Sequence, residues 1–357
     1  MQHNISSTAA QEAIDLLQQL IAIPSLSKEE KQTADLLESF LESKQFPVRR
    51  LNNNVWVKSK DWDSSKPTLL LNSHHDTVKA SSAYTRNPFS PIIENGKLYG
   101  LGSNDAGGPL VSLMQVFFHF ASHENRKYNL IFAATAEEEN SGSNGIESLL
   151  PHIGKVDLAI IGEPTSMQLA VAEKGLLVLD CIAHGTSSHA AHVPVNNAIS
   201  NAIQDIHWFN NNKAPKISHM LGEVRMNVTM IHAGSQHNVI PDQCNFTVDV
   251  RCTDAYTHDE LLDYIRDHVR CDVHPRSLRL NPSSIDMQHP LVIAAQEMNI
   301  PCYGSPTISD QALIPYTSVK IGPGDSMRSH TADEFIFLSE IENGISTYIS
   351  LLSKILY

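Results

Sequence analysis

The chain has 357 residues, 41% of them hydrophobic and 18% charged, with a formal charge of −13. Its length allows two domains or one large one, and its acidic balance argues against a general binder of nucleic-acid phosphates. No apolar run reaches the ~18 residues a bilayer span needs. Residues 1–4 (Met-Gln-His-Asn) lack the basic-then-apolar pattern of a secretory leader. Cys181, Cys244, Cys252, Cys271 and Cys302 are odd in number and form no Cys-x-x-Cys. They read as reduced thiols, and a cytoplasmic location is expected.

Apolar residues at helical spacing predict a helix over 11–23, stopped by Pro24. The tetrad Ser27-Lys28-Glu29-Glu30 has the form of a capping box opening a second helix with Leu36, Leu37, Phe40 and Leu41 inside. Short β-type runs follow at 54–57 and 68–71. A buried helix is expected over 107–120, with strands at 129–134 and 156–161. Strands separated by helices indicate an α/β layer with a largely parallel sheet. Beyond Gly175 the pattern becomes α+β: strands at 176–183, 224–231 and 245–250, helices at 196–209 and 259–269. Asn281-Pro282-Ser283-Ser284 reads as a linker, after which a strand at 318–321 and a helix at 338–352 resume the α/β style. The expected division is therefore a discontinuous domain of residues 1–175 and 282–357, interrupted by an inserted domain of residues 176–281.

Five polar segments punctuate this frame: Ser73-His74-His75-Asp76, Gly102-Ser103-Asn104-Asp105, Ala136-Glu137-Glu138-Glu139, Gly162-Glu163-Pro164 and Arg328-Ser329-His330. Along an extended chain His74 and Asp76 share a face while His75 points away. A metal-bound imidazole usually gives its second ring proton to such a carboxylate. Asp105, before an apolar helix, fits a helix N-cap as well as a ligand. Glu137, Glu138 and Glu139 repel one another unless a cation is near, although an acidic helix entry is the plain alternative. In the metal reading, one Glu of this trio binds and a neighbour acts as general base. Glu163 and His330, each alone, fit ordinary loops. In open α/β sheets, however, ligands bind at the carboxyl ends of strands, and His74, the Glu trio, Glu163 and His330 all lie at or shortly beyond such ends. Two imidazoles and several carboxylates so placed are the ligand chemistry of two divalent metals, and they point to hydrolysis.

The ordered set His74-x-Asp76, Gly100-Leu101-Gly102-Ser103-x-Asp105, Glu138-Glu139-x-x-Gly142, Gly162-Glu163-Pro164 and His330 resembles the acetylornithine deacetylase, succinyl-diaminopimelate desuccinylase and aminoacylase family of co-catalytic zinc hydrolases. The resemblance spans essentially the whole chain. It implies an α/β zinc-peptidase-like mixed sheet flanked by helices, with an inserted α+β lid that often mediates dimerisation. By position it implies one zinc on His74 and Glu163, another on Glu139 and His330, and Asp105 bridging, with cobalt able to substitute. It also implies that Asp76 orients His74 and that Glu138 is the general base. In the inserted domain His189 would help polarise the scissile carbonyl, and Asn238 and Arg251 would lie near a substrate carboxylate. A loop role for His189 and a surface ion pair for Arg251 remain the plain alternatives. Two positions depart from the family pattern: Leu101 stands where an Arg is common, and Gly107 where a Lys is common.

The combination of Gly-Leu-Gly-Ser-Asn-Asp-Ala-Gly-Gly and Ser305-Pro306-Thr307-Ile308-Ser309-Asp310 looks most like the acetylornithine-deacetylase-like branch of arginine biosynthesis. The implied activity is removal of an acetyl or succinyl group from an α-amino acid such as ornithine or citrulline, by a homodimer joined through the lid. The rivals are a dinuclear di- or tripeptidase of the same fold and a metal-free binding protein. The second has no need of the base at Glu138.

Overall fold

The computed structural model describes residues 7–192 and 196–357. The leader reading of residues 1–4 lies outside them. Four strands, Thr68–His74, Asn129–Thr135, Leu158–Ile161 and Ser318–Lys320, run parallel to their neighbours. Their spatial order is 129–135, 68–74, 158–161, 318–320. Every residue in them is buried, so they appear in sequence as apolar runs rather than alternations. His74 pairs with Thr135 and Asn72 with Ile161, which ends the central strands at one edge. Asn54–Lys58 adds antiparallel to 129–135, and Ala170 faces Lys320 antiparallel on the other side. The sheet is therefore mixed, with a parallel centre.

Helices cover both faces. Ile146, Leu149 and Ile153 of the Ile146–Ile153 helix pack with Leu70, Ile131, Ala133 and Ala159. Successive strand residues point oppositely, so Phe132 faces the other way and meets Phe117 of the Gly108–Ala121 helix, ring centroids 6.1 Å apart. That helix also packs against the terminal Leu338–Leu356 helix. Two elements gave no usable sequence signal. The Ile146–Ile153 helix is short and contains Pro151. The three-stranded sheet of Ile92–Glu94, Lys97–Tyr99 and Phe335–Phe337 joins distant segments three residues at a time. Among the described residues no helix is long and apolar enough to cross a membrane.

Two compact units emerge. The first comprises Met1–Val171, Ser284–Tyr303 and Ser309–Tyr357; the second comprises Ala172–Ser283 and Gly304–Ile308. Residues 304–308, expected with the outer domain, belong to the second unit. A Cβ at Gly304 would lie 2.2 Å from the Met220 carbonyl oxygen, and Lys174 N–H donates to the Ser305 carbonyl at 3.0 Å. The second unit holds a four-stranded antiparallel sheet in the order Arg225–Ala233, Gln243–Cys252, Gly175–His184, Asp272–Pro275. Its core joins this sheet to the helices Ala198–Asn211 and His258–Arg266. The second of these begins with a capping box between Thr257 and Glu260.

The helix expected to begin at 107 is preceded by a tight turn, Ser103–Gly107, in which Asp105 (φ −118°, ψ 100°) is non-helical and the Asp105–Ala106 peptide is cis. Gly107 has no room for a side chain. A Cβ there would lie 2.5 Å from the Gly102 carbonyl oxygen and 2.5 Å from Leu17 Cδ1. The departure at this position follows from how the turn packs on the first helix. Gly107→Ala is expected to cost about 1–3 kcal/mol through overpacking, read as a lowered thermal midpoint. An unchanged melting curve would show that the turn has slack.

Candidate metal centre

The parallel centre of the sheet delivers its strand ends to one place. His74 closes the 68–74 strand and is 1% exposed. Its Nδ1 points at Asp76, 3.0 Å from the backbone oxygen and 3.3 Å from Oδ1. With Nδ1–H donating there, a neutral His74 would present its lone pair at Nε2. That nitrogen is buried and has no hydrogen-bond partner. His75 points away, its ring nitrogens 2.9 Å from Thr33 Oγ1 and 2.9 Å from the Asn53 carbonyl oxygen. This is the alternation expected of an extended segment.

Around His74 Nε2 lie Asp105 Oδ1 at 3.4 Å, Glu163 Oε1 at 3.7 Å and Glu138 Oε2 at 3.9 Å. The second oxygen of Asp105, Oδ2, lies 3.6 Å from His330 Nε2, which donates to Glu139 Oε2 at 2.9 Å. Asp105 thus presents one oxygen to each imidazole. Two ligand sets of metal-holding geometry overlap here: His74 with Glu138 and Glu163, and His74 with Asp105 and Glu139. Glu138 is close enough to His74 to be counted as a ligand on distance alone.

The electrostatics are those of a cation site. Asp76, Asp105, Glu138, Glu139 and Glu163 gather around two imidazoles, with Lys320 also acting on Glu163. Burial, opposed by His74 and reinforced by Glu163, Asp310 and Glu139, holds the Glu138 carboxyl well above the usual range. Burial does the same to Glu163, against His74 and with help from Asp105. Burial works against a charged His74, yet Glu138, Asp105, Asp76 and Glu163 together raise its imidazole well above the ordinary value. The hydrogen bond to Glu139 raises His330 to about 9. Crowded buried carboxylates strain toward protonation unless positive charge compensates them. Divalent cations supply that charge, and an orphaned imidazole nitrogen among carboxylate oxygens suits zinc or a similar ion. The residues fit the group.

Several supporting residues escaped sequence reasoning. Ser27 and Glu30 do not form the expected capping box. The helix begins at Lys31, and Ser27 Oγ donates to Asp76 Oδ2 at 2.7 Å. Glu30, fully buried, accepts from Glu137 N–H at 3.2 Å and from Asn53 Nδ2 at 2.9 Å. Tertiary partners here win over local capping. Asp310 is buried, accepts from Asn72 Nδ2 at 2.8 Å and Thr135 Oγ1 at 2.7 Å, and is pushed by burial to about 6. Arg328, two residues before His330, forks onto Glu340 at 2.9 and 2.5 Å and lies over the Phe335 ring.

The other three expected residues belong to the second unit. His189 is exposed and pairs with Val239 in a two-stranded ribbon, where Ala190 N–H donates to the Asn238 carbonyl at 2.9 Å. His189 and Asn238 are therefore brought together. Arg251, on the 243–252 strand, donates to both Asp249 oxygens at 2.8 and 3.1 Å. Its fork is engaged within the chain.

Comparison with known proteins bears on the fold and on the family. The fold is similar to that of a tripeptidase from Staphylococcus aureus (18% identity, 97% of this chain and 98% of that one, TM-score 0.76). It is similar to aminopeptidase PepT from Bacillus cereus (16%, 97% and 98%, 0.75). It is also similar to a dinuclear metal-binding peptidase of the M20 family from Bacillus subtilis (16%, 98% and 99%, 0.74). The sequence profile of peptidase family M20/M25/M40 matches residues 70–354, a span that contains every candidate ligand from His74 to His330. The chain belongs to peptidase family M20/M25/M40 and is an enzyme of that metallo-hydrolase family.

Proposed function

We propose that the protein hydrolyses a linear amide at a centre of two divalent metals, most suitably zinc, and that it removes an N-acyl group from an α-amino acid. The observation that carries the metal-centre reading is the split attention of Asp105, one oxygen 3.4 Å from His74 and the other 3.6 Å from His330. In this reading His74 and Glu163 would hold one ion and Glu139 and His330 the other, with Asp105 able to serve both. When bound, such ions polarise a carbonyl and lower the pKa of water from ~15.7 toward ~7.

The chain's own residues do the rest. Asp76 fixes the His74 tautomer through Nδ1, keeping Nε2 free for coordination. Glu138 takes a proton from the attacking water and delivers it to the departing amine nitrogen. Its burial makes it a stronger base than a carboxylate in water. His189 would donate to the oxyanion, a contact of this kind being worth roughly 3–4 kcal/mol. Asn238 and Arg251 would bind the substrate carboxylate, which for Arg251 means releasing Asp249. N-acyl-ornithine and N-acyl-citrulline are the substrates the resemblance favours. A cytoplasmic location and a homodimer joined through the second unit follow from the same reading. A second reading, a di- or tripeptidase, draws on the peptidase names of the similar structures.

Three outcomes are expected. Glu138→Ala abolishes turnover while metal analysis finds two ions per chain, whereas Glu139→Ala lowers that ratio; exchanged phenotypes would swap their roles. Exhaustive chelation removes activity, and zinc or cobalt restores it; a metal-free preparation with undiminished turnover would overturn the centre. N-acyl-ornithine or N-acyl-citrulline exceeds free dipeptides at least about tenfold in kcat/KM, ~1.4 kcal/mol of transition-state preference. Competition assays over a panel of both substrate classes decide this, and a preference for dipeptides selects the peptidase reading.

A further inference from the structure

We infer that Glu334 is a positioning residue of the metal centre, holding Asp105 where both imidazoles can share it. The inference rests on the proposed role of Asp105 as bridging ligand. Glu334 is 2% exposed. Its Oε1 accepts the backbone N–H of Asn104 at 2.8 Å and of Asp105 at 2.9 Å, and its Oε2 accepts that of Gly102 at 3.1 Å. Its carbonyl oxygen accepts from Gly100 N–H at 3.0 Å. One residue therefore holds four amides between positions 100 and 105.

The turn needs such an anchor. Asp105 is non-helical, so its amide and that of Asn104 have no regular helix partner and require one elsewhere. Amides converging on one point form an anion-binding nest. Here the anion is a side chain of the same protein. Glu334 also stands four residues beyond His330, so its carboxylate ties the loop carrying one proposed ligand to the segment carrying another.

Three of these amides are accepted by the side chain and engage both of its oxygens, which a single neutral carbonyl oxygen would not offer. Partners that orient ligands in this way typically change metal affinity 10–100-fold when altered.

The test compares wild type, Glu334→Gln, Glu334→Ala, Asp105→Asn and the double variant Glu334→Gln/Asp105→Asn. Metal-free protein is titrated with Co2+ and followed by visible absorption, with metal analysis for stoichiometry and circular dichroism for fold. Gln keeps the length and one acceptor oxygen but turns an amide NH2 toward the remaining N–H, so Co2+ binding by Glu334→Gln is read on protein whose circular dichroism matches wild type. It should bind Co2+ about tenfold or more weakly at one site, with an altered absorption band. Added to Asp105→Asn it should cause little further loss, because the two act as one unit. Wild-type affinity and spectrum in Glu334→Gln overturn the inference, as does a lowered thermal midpoint with unchanged Co2+ binding. If Glu334→Ala does not fold, Glu334→Gln alone decides. Asp105→Asn with wild-type binding overturns the bridging reading and this inference together. Weakened binding in Asp105→Asn with none in Glu334→Gln overturns the positioning role alone.

Discussion

A carboxylate taken out of water must be surrounded by donors, or its burial is too costly to sustain. Asp76 is 1% exposed and meets that demand from three directions. His74 Nδ1 approaches one side, Ser27 Oγ another, and the backbone N–H groups of Glu138 and Glu139 a third, each at 3.1 Å. Those donors come from the start of the chain, from the 68–74 strand and from the turn after the 129–135 strand. Satisfying one buried charge therefore fixes the tautomer of His74 and the position of both glutamates at once. The division of labour proposed for Glu138 and Glu139 depends on this pinning, because their amides are held by the two oxygens of the same group.

The parallel sheet makes the convergence possible. Parallel neighbours end on the same edge, and an α/β crossover returns the chain to begin the next strand from the opposite edge. Each return therefore delivers a polar residue to the same rim, and two returns bring His74, the glutamate turn and Glu163 together. The 318–320 strand completes the row after the excursion through the second unit, and the loop beyond it carries His330. The two imidazoles then differ in setting. His74 is sealed at 1% exposure, whereas the His330 side chain is 56% exposed and is held by Glu139.

The parts of this site that could be seen in the sequence are those that end apolar strands. His74, Glu138 and Glu139 draw notice because a polar residue abruptly follows a buried run, while Glu163, alone, reads as an ordinary turn and counts only with the others. Asp105 and His330 needed the whole ordered set, since a helix start and a loop are commonplace settings for such residues. Ser27, Glu30 and Glu334 were not legible at all. Ser27 meets Asp76 across 49 positions and Glu334 meets Asp105 across 229, and no local pattern encodes such distances. The capping-box reading failed because Ser27 turns to Asp76, while Glu30 keeps a local donor in Lys28 N–H at 2.5 Å beside the distant Glu137 N–H. The α/β frame and the change of style near residue 175 were visible from periodicity. The 304–308 segment was not, because its attachment to the second unit is made by close backbone approach rather than by an apolar pattern.

The route of the chain has a consequence for how the protein is made. Synthesis yields the first three strand ends, then the 112 residues of Ala172–Ser283, and only then the strand, loop and helix that finish the first unit. While the second unit emerges, Asp105 lacks Glu334 and the sheet lacks its 318–320 strand. The nascent rim then carries unneutralised acids beside an open strand edge, the kind of surface that invites mispairing in large proteins. Those acids repel one another and any second copy of themselves. The 158–161 strand meanwhile waits without its 318–320 neighbour until the C-terminal segment has been made.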